Sequence, residues 1–250
     1  MSRFAVRSRA LIAGLAVCLG LAVALPAVAD SPQAKGGAMS SDWQKLSAEE
    51  LVARAREARA SWAGLPGFSA DFTVATGGHK GAGRLEVDAD GTVNITLSDA
   101  EQHPWVEGSL RSLVGHRLAS GSRDEKVRFA DDQTDHPLGR LIAIEDASNS
   151  TCRIRDDVIY EIQRTHGNNR FAISVIDVAR NDEGKVLSAH YTVSYWDVST
   201  GNLRRSTTTH DTWVRVGKFD LPKSVLVIET RDDGHHEARK IEFKNHKLGS

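Results

Sequence analysis

Long segments with a period of two residues fill the second half of this chain, and they restrict the fold more than any other feature. Seven of them follow residue 150, several longer than the usual strand of about 5 to 6 residues. Short turns rich in Gly, Asn and Asp separate them. The segments are Cys152–Arg155, Val158–Arg164, Phe171–Ala179, Val186–Asp197, Leu203–Val216, Lys223–Thr230 and Ala238–His246. This pattern predicts an antiparallel meander that must twist and curl.

The first half predicts two helices and three shorter strands. A capping box begins at Ser47, and apolar residues then recur at helical spacing as far as Trp62. A second helix is predicted over Pro104–His116, with the proline in its first turn. The strands are predicted around Phe68–Val74, Leu85–Val87 and Val93–Leu97. Together these elements predict an α+β fold: a strongly curved antiparallel sheet, or half-open barrel, with about two helices covering its concave face.

The first 29 residues have the features of a secretory signal peptide. Arg3, Arg7 and Arg9 precede an apolar run over residues 11–25, and Ala-Val-Ala at 27–29 matches a cleavage site. The run is shorter than the roughly 20 residues of a transmembrane helix, although an uncleaved anchor is the alternative. We therefore expect an exported protein, periplasmic or extracellular, without a transmembrane segment in the mature chain.

Beyond the signal peptide we expect two regions. Residues 30–46 are small and polar and predict a flexible leader. Residues 47–250 then form a single domain, long enough to bury a core without disulfide bonds.

Charge and cysteine content exclude several functions. The 250 residues include 32 Lys plus Arg and 33 Asp plus Glu, so the chain lacks the basic excess typical of nucleic-acid binding. Of the two cysteines, Cys18 lies in the signal peptide, which leaves Cys152 without a partner. Because Cys152 alternates with Ile154, we interpret it as a small buried hydrophobe, with a catalytic thiol as the alternative.

Three segments resemble metal or phosphate motifs but lack required residues. His236-Glu237 lacks the second histidine of a zinc-hydrolase helix, because Lys240 takes its place. The acidic loop Asp131–His136 lacks the glycine and distal glutamate of a calcium loop. The glycines of 77–83 are not followed by Lys-Ser/Thr, as a phosphate loop requires. We therefore expect neither a metal nor a cofactor.

Four short motifs, spread over residues 47–248, resemble a bacterial family known as domain of unknown function thirty-three eighty-six. They are Trp62 with Pro66–Phe72 (PGFSADF), Asp135–Arg140 (DHPLGR), Tyr195–Asp197 (YWD) and Leu221-Pro222. This resemblance implies no known activity.

The order of elements is also similar to that of the lipoprotein carriers LolA and LolB. Phe68, Ala70 and Phe72 match the carriers' opening strand, while Leu221-Pro222 and Ile241–Phe243 match their closing strands. The resemblance implies an open antiparallel barrel with a helical lid that holds acyl chains. The carriers' proline and aromatic pattern after the second strand is replaced by Asp-Ala-Asp-Gly-Thr at 88–92.

The aromatic residues lead to a functional hypothesis. A curved sheet with only two helices leaves its concavity incompletely filled, and such openings commonly bind apolar ligands. We expect a non-enzymatic binder or carrier of an apolar or amphiphilic ligand, such as a lipid or lipoprotein acyl chain. The expected ligand-binding residues are Trp62, Phe68, Phe72, Leu85, Trp105, Leu110, Tyr191 and Tyr195.

Two alternatives remain at this point. One is a metal-dependent or hydrolytic enzyme that uses Asp135, His136 and Arg140, with Trp196 or His210 nearby. The other is an interaction domain with an ordinary, completely filled core.

The signal peptide leads to a direct test. N-terminal sequencing of the exported protein should begin at Asp30, because the cleavage site ends at Ala29. Recovery of the full-length chain from the membrane fraction would contradict this prediction.

Overall fold

An open antiparallel sheet of 12 strands organises the residues that the computed structural model describes, 41–118 and 125–249. The strand order is β3-β2-β1-β12-β11-β10-β9-β8-β7-β6-β5-β4, so β3 and β4 are the two edges. The first and last strands of the chain, β1 and β12, are neighbours within the sheet. The predicted signal peptide and residues 30–40 of the predicted leader lie outside the described residues.

The elements have the following bounds. The strands are β1 (Phe68–Thr76), β2 (His79–Val87), β3 (Val93–Leu97), β4 (Val127–Phe129), β5 (Arg140–Ile144), β6 (Thr151–Arg155), β7 (Val158–His166), β8 (Asn169–Arg180), β9 (Val186–Asp197), β10 (Leu203–Val216), β11 (Phe219–Arg231) and β12 (His236–Leu248). The helices are α1 (Ala48–Ala58) and α2 (His103–Arg117), and a 3-10 helix at Ser41–Lys45 precedes α1. The short strands β4 and β5 were not predicted from the sequence, because β4 has only three residues and the apolar residues of β5 are consecutive rather than alternating.

Helix α1 begins as predicted but ends earlier. The backbone N–H of Glu50 donates to Ser47 Oγ at 3.2 Å, and the backbone N–H of Ser47 donates to Glu50 Oε2 at 2.7 Å, which completes the capping box. After Ala58 the chain pairs with β9 instead, since the Ala60 N–H donates to the Val186 carbonyl at 2.9 Å. The prediction that Trp62 lies on this helix was therefore wrong.

Strand β11 is longer than predicted. It begins at Phe219 rather than Lys223 and includes Pro222. A proline cannot donate a hydrogen bond within a sheet, which is why the sequence favoured a later start. Pro222 lies opposite Trp213, where a bulge in β11, with Lys223 as the extra residue, interrupts the regular register.

Both helices pack on the same face of the sheet. Directly opposed residues in an antiparallel pair point to the same side, and so do alternate residues along a strand. One row of opposed residues crosses eight strands: Ile142, Cys152, Ile162, Ile173, Val193, Thr207, Glu229 and Glu237. Further along β12 on this side, Ile241 is opposite Val74. Ile142 belongs to the cluster around α1 and Val74 to the cluster around α2, so we call this side the helix face.

Two separate hydrophobic clusters form on the helix face. The first joins α2 to β1, β2, β11 and β12, with Phe72, Leu110 and Ile241 almost fully buried. The second joins α1 and Trp43 to β5 and β6. It includes Cys152, which is 3% exposed and has a pKa raised to about 11 by burial. This confirms the interpretation of Cys152 as a buried hydrophobe.

Substitution of two glycines by alanine tests the backbone conformation at their positions. Gly108 lies inside α2 with open space around it, whereas Gly139 has a φ of +92° and its added Cβ would collide with the Ile154 carbonyl. Gly108→Ala should raise the free energy of unfolding by about 0.5 to 1 kcal/mol, since alanine favours helix. Gly139→Ala should lower it by about 2 kcal/mol, because the left-handed backbone is strained for alanine. Urea denaturation measures both, and equal effects of the two substitutions would contradict this backbone geometry.

Candidate functional site

An apolar strip lies on the helix face between the two clusters. It consists of three opposed pairs on the neighbouring strands β8 and β9, and its residues belong to neither cluster and are only partly buried. The pairs are Phe171 with Tyr195, Ile173 with Val193, and Val175 with Tyr191. We call these six residues the β8–β9 strip. Its exposure means that the core of the protein is packed without it.

The opposite face of the same strands is polar. Ser174, Thr192 and Ser194 alternate with the residues of the strip. The hydroxyl of Thr192 lies 3.1 Å from that of Thr208 on β10, which continues the polar surface. This face also carries exposed apolar side chains, since Ile228 lies opposite Thr208 and is 36% exposed. The strip differs in having six apolar residues in three adjacent opposed pairs.

One end of the strip is aromatic and flanked by arginines. The rings of Phe171 and Tyr195 are 5.9 Å apart, and the Arg205 guanidinium lies 4.3 Å from the Tyr195 ring centroid. Arg205 also forms an ion pair with Glu229 at 3.5 Å. On the other side, Arg164 of β7 is directly opposite Phe171. Apolar and cationic groups thus meet at this end.

The other end adjoins a buried polar network. Ser188 Oγ donates to Asp211 Oδ2 at 2.8 Å, and the Arg117 guanidinium donates to Ser188 Oγ at 3.1 Å. Arg117 also stacks on Trp213 at 4.1 Å. Beside the network, burial raises the pKa of Tyr191 to about 12, so its hydroxyl stays protonated at neutral pH. The network ties the end of α2 to β9 and β10.

The eight ligand-binding residues predicted from the sequence do not all lie together in the structure. Tyr191 and Tyr195 lie in the strip, while Trp105 is partly buried at the edge of the first cluster, with Arg239 5.3 Å from its ring. The other five have at most 3% of their surface exposed within the first cluster: Trp62, Phe68, Phe72, Leu85 and Leu110. The role of all eight in binding stays a prediction.

Sequence reasoning did not include the β8 half of the strip. Phe171, Ile173 and Val175 alternate along a strand that was predicted, so their period of two was the available signal. Which of several apolar faces stays uncovered depends on where the helices pack, and the alternation of one strand does not contain that information.

The structure places His210 far from the Asp135–Arg140 part of the alternative enzyme site. The Leu138 N–H donates to His136 Nδ1 at 3.1 Å within a turn, and Arg140 is 9% exposed and stacks on Phe129 at 3.7 Å. Arg140 on β5 and His210 on β10 are five strand spacings apart, about 24 Å along the sheet. In residues 41–118 and 125–249, no group of three or more His, Cys, Asp or Glu side chains could hold a metal ion.

Fold and site together define a protein with an open antiparallel sheet and an uncovered apolar strip on one face. Residues 43–248 match the family described as Protein of unknown function (DUF3386), and the chain belongs to this family. No curated protein is significantly similar to it in sequence. Among the helices of the described residues, none is long and apolar enough to cross a membrane.

Similar solved structures include a LolA superfamily protein from Nitrosomonas europaea. The match has 10% identity and a TM-score of 0.36 and covers 82% of this chain and 94% of the other. The Pseudomonas aeruginosa MucA/MucB complex matches with 12% identity and a TM-score of 0.19, covering 81% and 99%. TM-scores this low carry no inference about function.

The buried network predicts a pH-dependent stability. Burial raises the pKa of Asp211 to about 6, so the folded protein holds this proton more tightly than the unfolded chain does. The free energy of unfolding should therefore fall as the pH rises through the window from about 4 to 6. Relative to Asp211→Asn, which cannot titrate, the wild type should lose about 2 kcal/mol over this window, since one pKa unit corresponds to about 1.4 kcal/mol. Parallel stability curves of the two proteins from pH 4 to 7 would contradict the prediction.

Proposed function

We propose that this protein is a non-enzymatic binder or carrier of an apolar or amphiphilic ligand, a lipid or lipoprotein acyl chain, and that it acts in the periplasm or outside the cell. The ligand lies along the β8–β9 strip, on the concave side of a curved sheet, with α1 and α2 on either side. The observation that supports this most directly is the incomplete burial of six apolar residues on the face that the helices otherwise cover.

The size of the strip fits a single hydrocarbon chain. From Phe171 to Val175 the strand rises about 13 Å, at about 3.3 Å per residue. An extended chain of about ten methylenes has a similar length, and its burial would contribute about 8 kcal/mol at 0.8 kcal/mol per methylene. Because about 8 kcal/mol by itself corresponds to roughly micromolar affinity, the costs of association and ordering leave an affinity weaker than micromolar.

Separate packing of the two clusters also favours a binding surface. Each helix has its own set of buried partners, α2 with Phe72 and Ile241 and α1 with Ile142 and Ile154. The strip between them can therefore exchange water for a ligand without disturbing either cluster. A filled core, the competing hypothesis, would leave no such exposed residues between its helices.

The test is displacement of an environment-sensitive fatty-acid probe. Wild type should bind the probe measurably, with an affinity weaker than micromolar, and Val193→Asp should weaken binding at least about tenfold, because a carboxylate in the strip must be desolvated. The matched control is Ser194→Asp, the next residue of β9, whose side chain points to the polar face. This variant should bind like the wild type.

Circular dichroism confirms that each variant is folded before binding is compared. If the folded wild type does not bind the probe, or if Val193→Asp and Ser194→Asp bind it equally well, the binding proposal is wrong. The strip would then be a surface for protein interaction.

A further inference from the structure

Arg164 extends the apolar strip with a positive charge. It lies on β7 opposite Phe171, and Phe171 is opposite Tyr195, so the three side chains form one row on the helix face. A ligand that extends beyond the aromatic end of the strip would therefore contact the Arg164 guanidinium.

The Arg164 guanidinium is incompletely satisfied. Its Nε is buried and has no hydrogen-bond partner in the described part of the chain. An arginine carries five N–H donors, and a buried donor without an acceptor is costly. The nearby carboxylate of Asp146 accepts backbone N–H groups from Ser148 and Ser150 instead.

Other cations surround this arginine. Burial lowers the pKa of His116, and the positive charges of Arg59, Arg117 and Arg164 lower it further. Arg59 donates to the His116 carbonyl at 2.7 Å, while Arg117 donates to the Ala60 carbonyl and to Ser188. Within the described residues, none of these three arginines forms an ion pair with a carboxylate. Asp146 acts electrostatically on Arg164 and Asp211 on Arg117, so these three arginines and two carboxylates leave an excess of one positive charge.

Helix ends account for only part of this excess. Arg59 and Arg117 follow or end α1 and α2, where cations stabilise the helix dipole. Arg164 lies inside a strand, where no helix dipole acts on it. Its position beside an exposed apolar strip therefore needs another explanation.

We infer that the ligand is an anionic single-chain amphiphile whose carboxylate or phosphate head group binds Arg164. This inference rests on the proposed function, because the chain of the same ligand lies along the β8–β9 strip. Carboxylates and phosphates accept two parallel N–H bonds from a guanidinium, and no hydrogen bond to a protein acceptor competes for Arg164 Nε in the described part of the chain. Arg59 and Arg117 add longer-range attraction for the same charge.

Calorimetric titration with ligands that share one chain separates the head group from the chain. We expect dodecanoate and monododecyl phosphate each to bind about tenfold more tightly than 1-dodecanol, and dodecylammonium to bind more weakly than the alcohol. Butyrate, an anion with a short chain, should not bind measurably.

Variants of two neighbouring arginines test the assignment. Arg164→Gln should remove the preference for dodecanoate over 1-dodecanol while binding of the alcohol continues, and Arg164→Lys should restore part of it. The control is Arg170→Gln, because Arg170 begins β8 on the opposite face and stacks on Trp196 at 4.8 Å. This variant should keep the preference of the wild type.

Each result contrary to these expectations has a separate meaning. Equal affinities for dodecanoate and 1-dodecanol, or an unchanged preference in folded Arg164→Gln, would overturn the head-group inference and leave the proposed function standing. Butyrate binding as tight as dodecanoate would replace the amphiphile with a free anion. Failure of every twelve-carbon ligand to bind would overturn both the inference and the proposed function.

Discussion

The sheet has more area on one face than its two helices can cover, and this mismatch determines the rest of the molecule. Twelve strands at about 4.8 Å extend about 53 Å across the sheet, whereas α1 and α2 are only about 16 and 22 Å long. Each helix buries the strands near one edge. The strands between them therefore keep an apolar side that nothing in the described residues covers, and this side is the candidate site.

A polar network lies at the boundary between the strands that α2 covers and those that it leaves uncovered. Arg117, Ser188 and Asp211 connect the end of α2 to β9 and β10, and Arg117 stacks on Trp213. Arg117 and Asp211 are connected through the Ser188 hydroxyl rather than by a direct ion pair, and these hydrogen bonds give the helix end a defined position. That position leaves Tyr191 at the edge of the strip, with Arg164 at the strip's other end. Charged side chains, some of them buried, therefore border the apolar strip. This arrangement matches the chemistry of an amphiphilic ligand.

Much of the fold could be predicted from local patterns. The period of two located most strands, and the capping box at Ser47 located the start of α1. Predictions were wrong where a distant contact overrides a local pattern. Trp62 continues the helical spacing of α1, but the backbone after Ala58 pairs with β9. Pro222 argues locally against a strand, yet a bulge at Lys223 accommodates it within β11.

The candidate site shows the same division between sequence and structure. The sequence by itself determined that Tyr191, Val193 and Tyr195 share one face, because alternation along a strand is a property of the backbone. In the same way the sequence placed Phe72 on an apolar face of β1. No local feature distinguishes that strand from β9. Only the tertiary structure decided that α2 buries Phe72 and leaves Tyr195 exposed, and that Arg164 lies beside Phe171. Helix packing and strand register are long-range contacts, and the free energy that selects them comes from burial across the whole sheet.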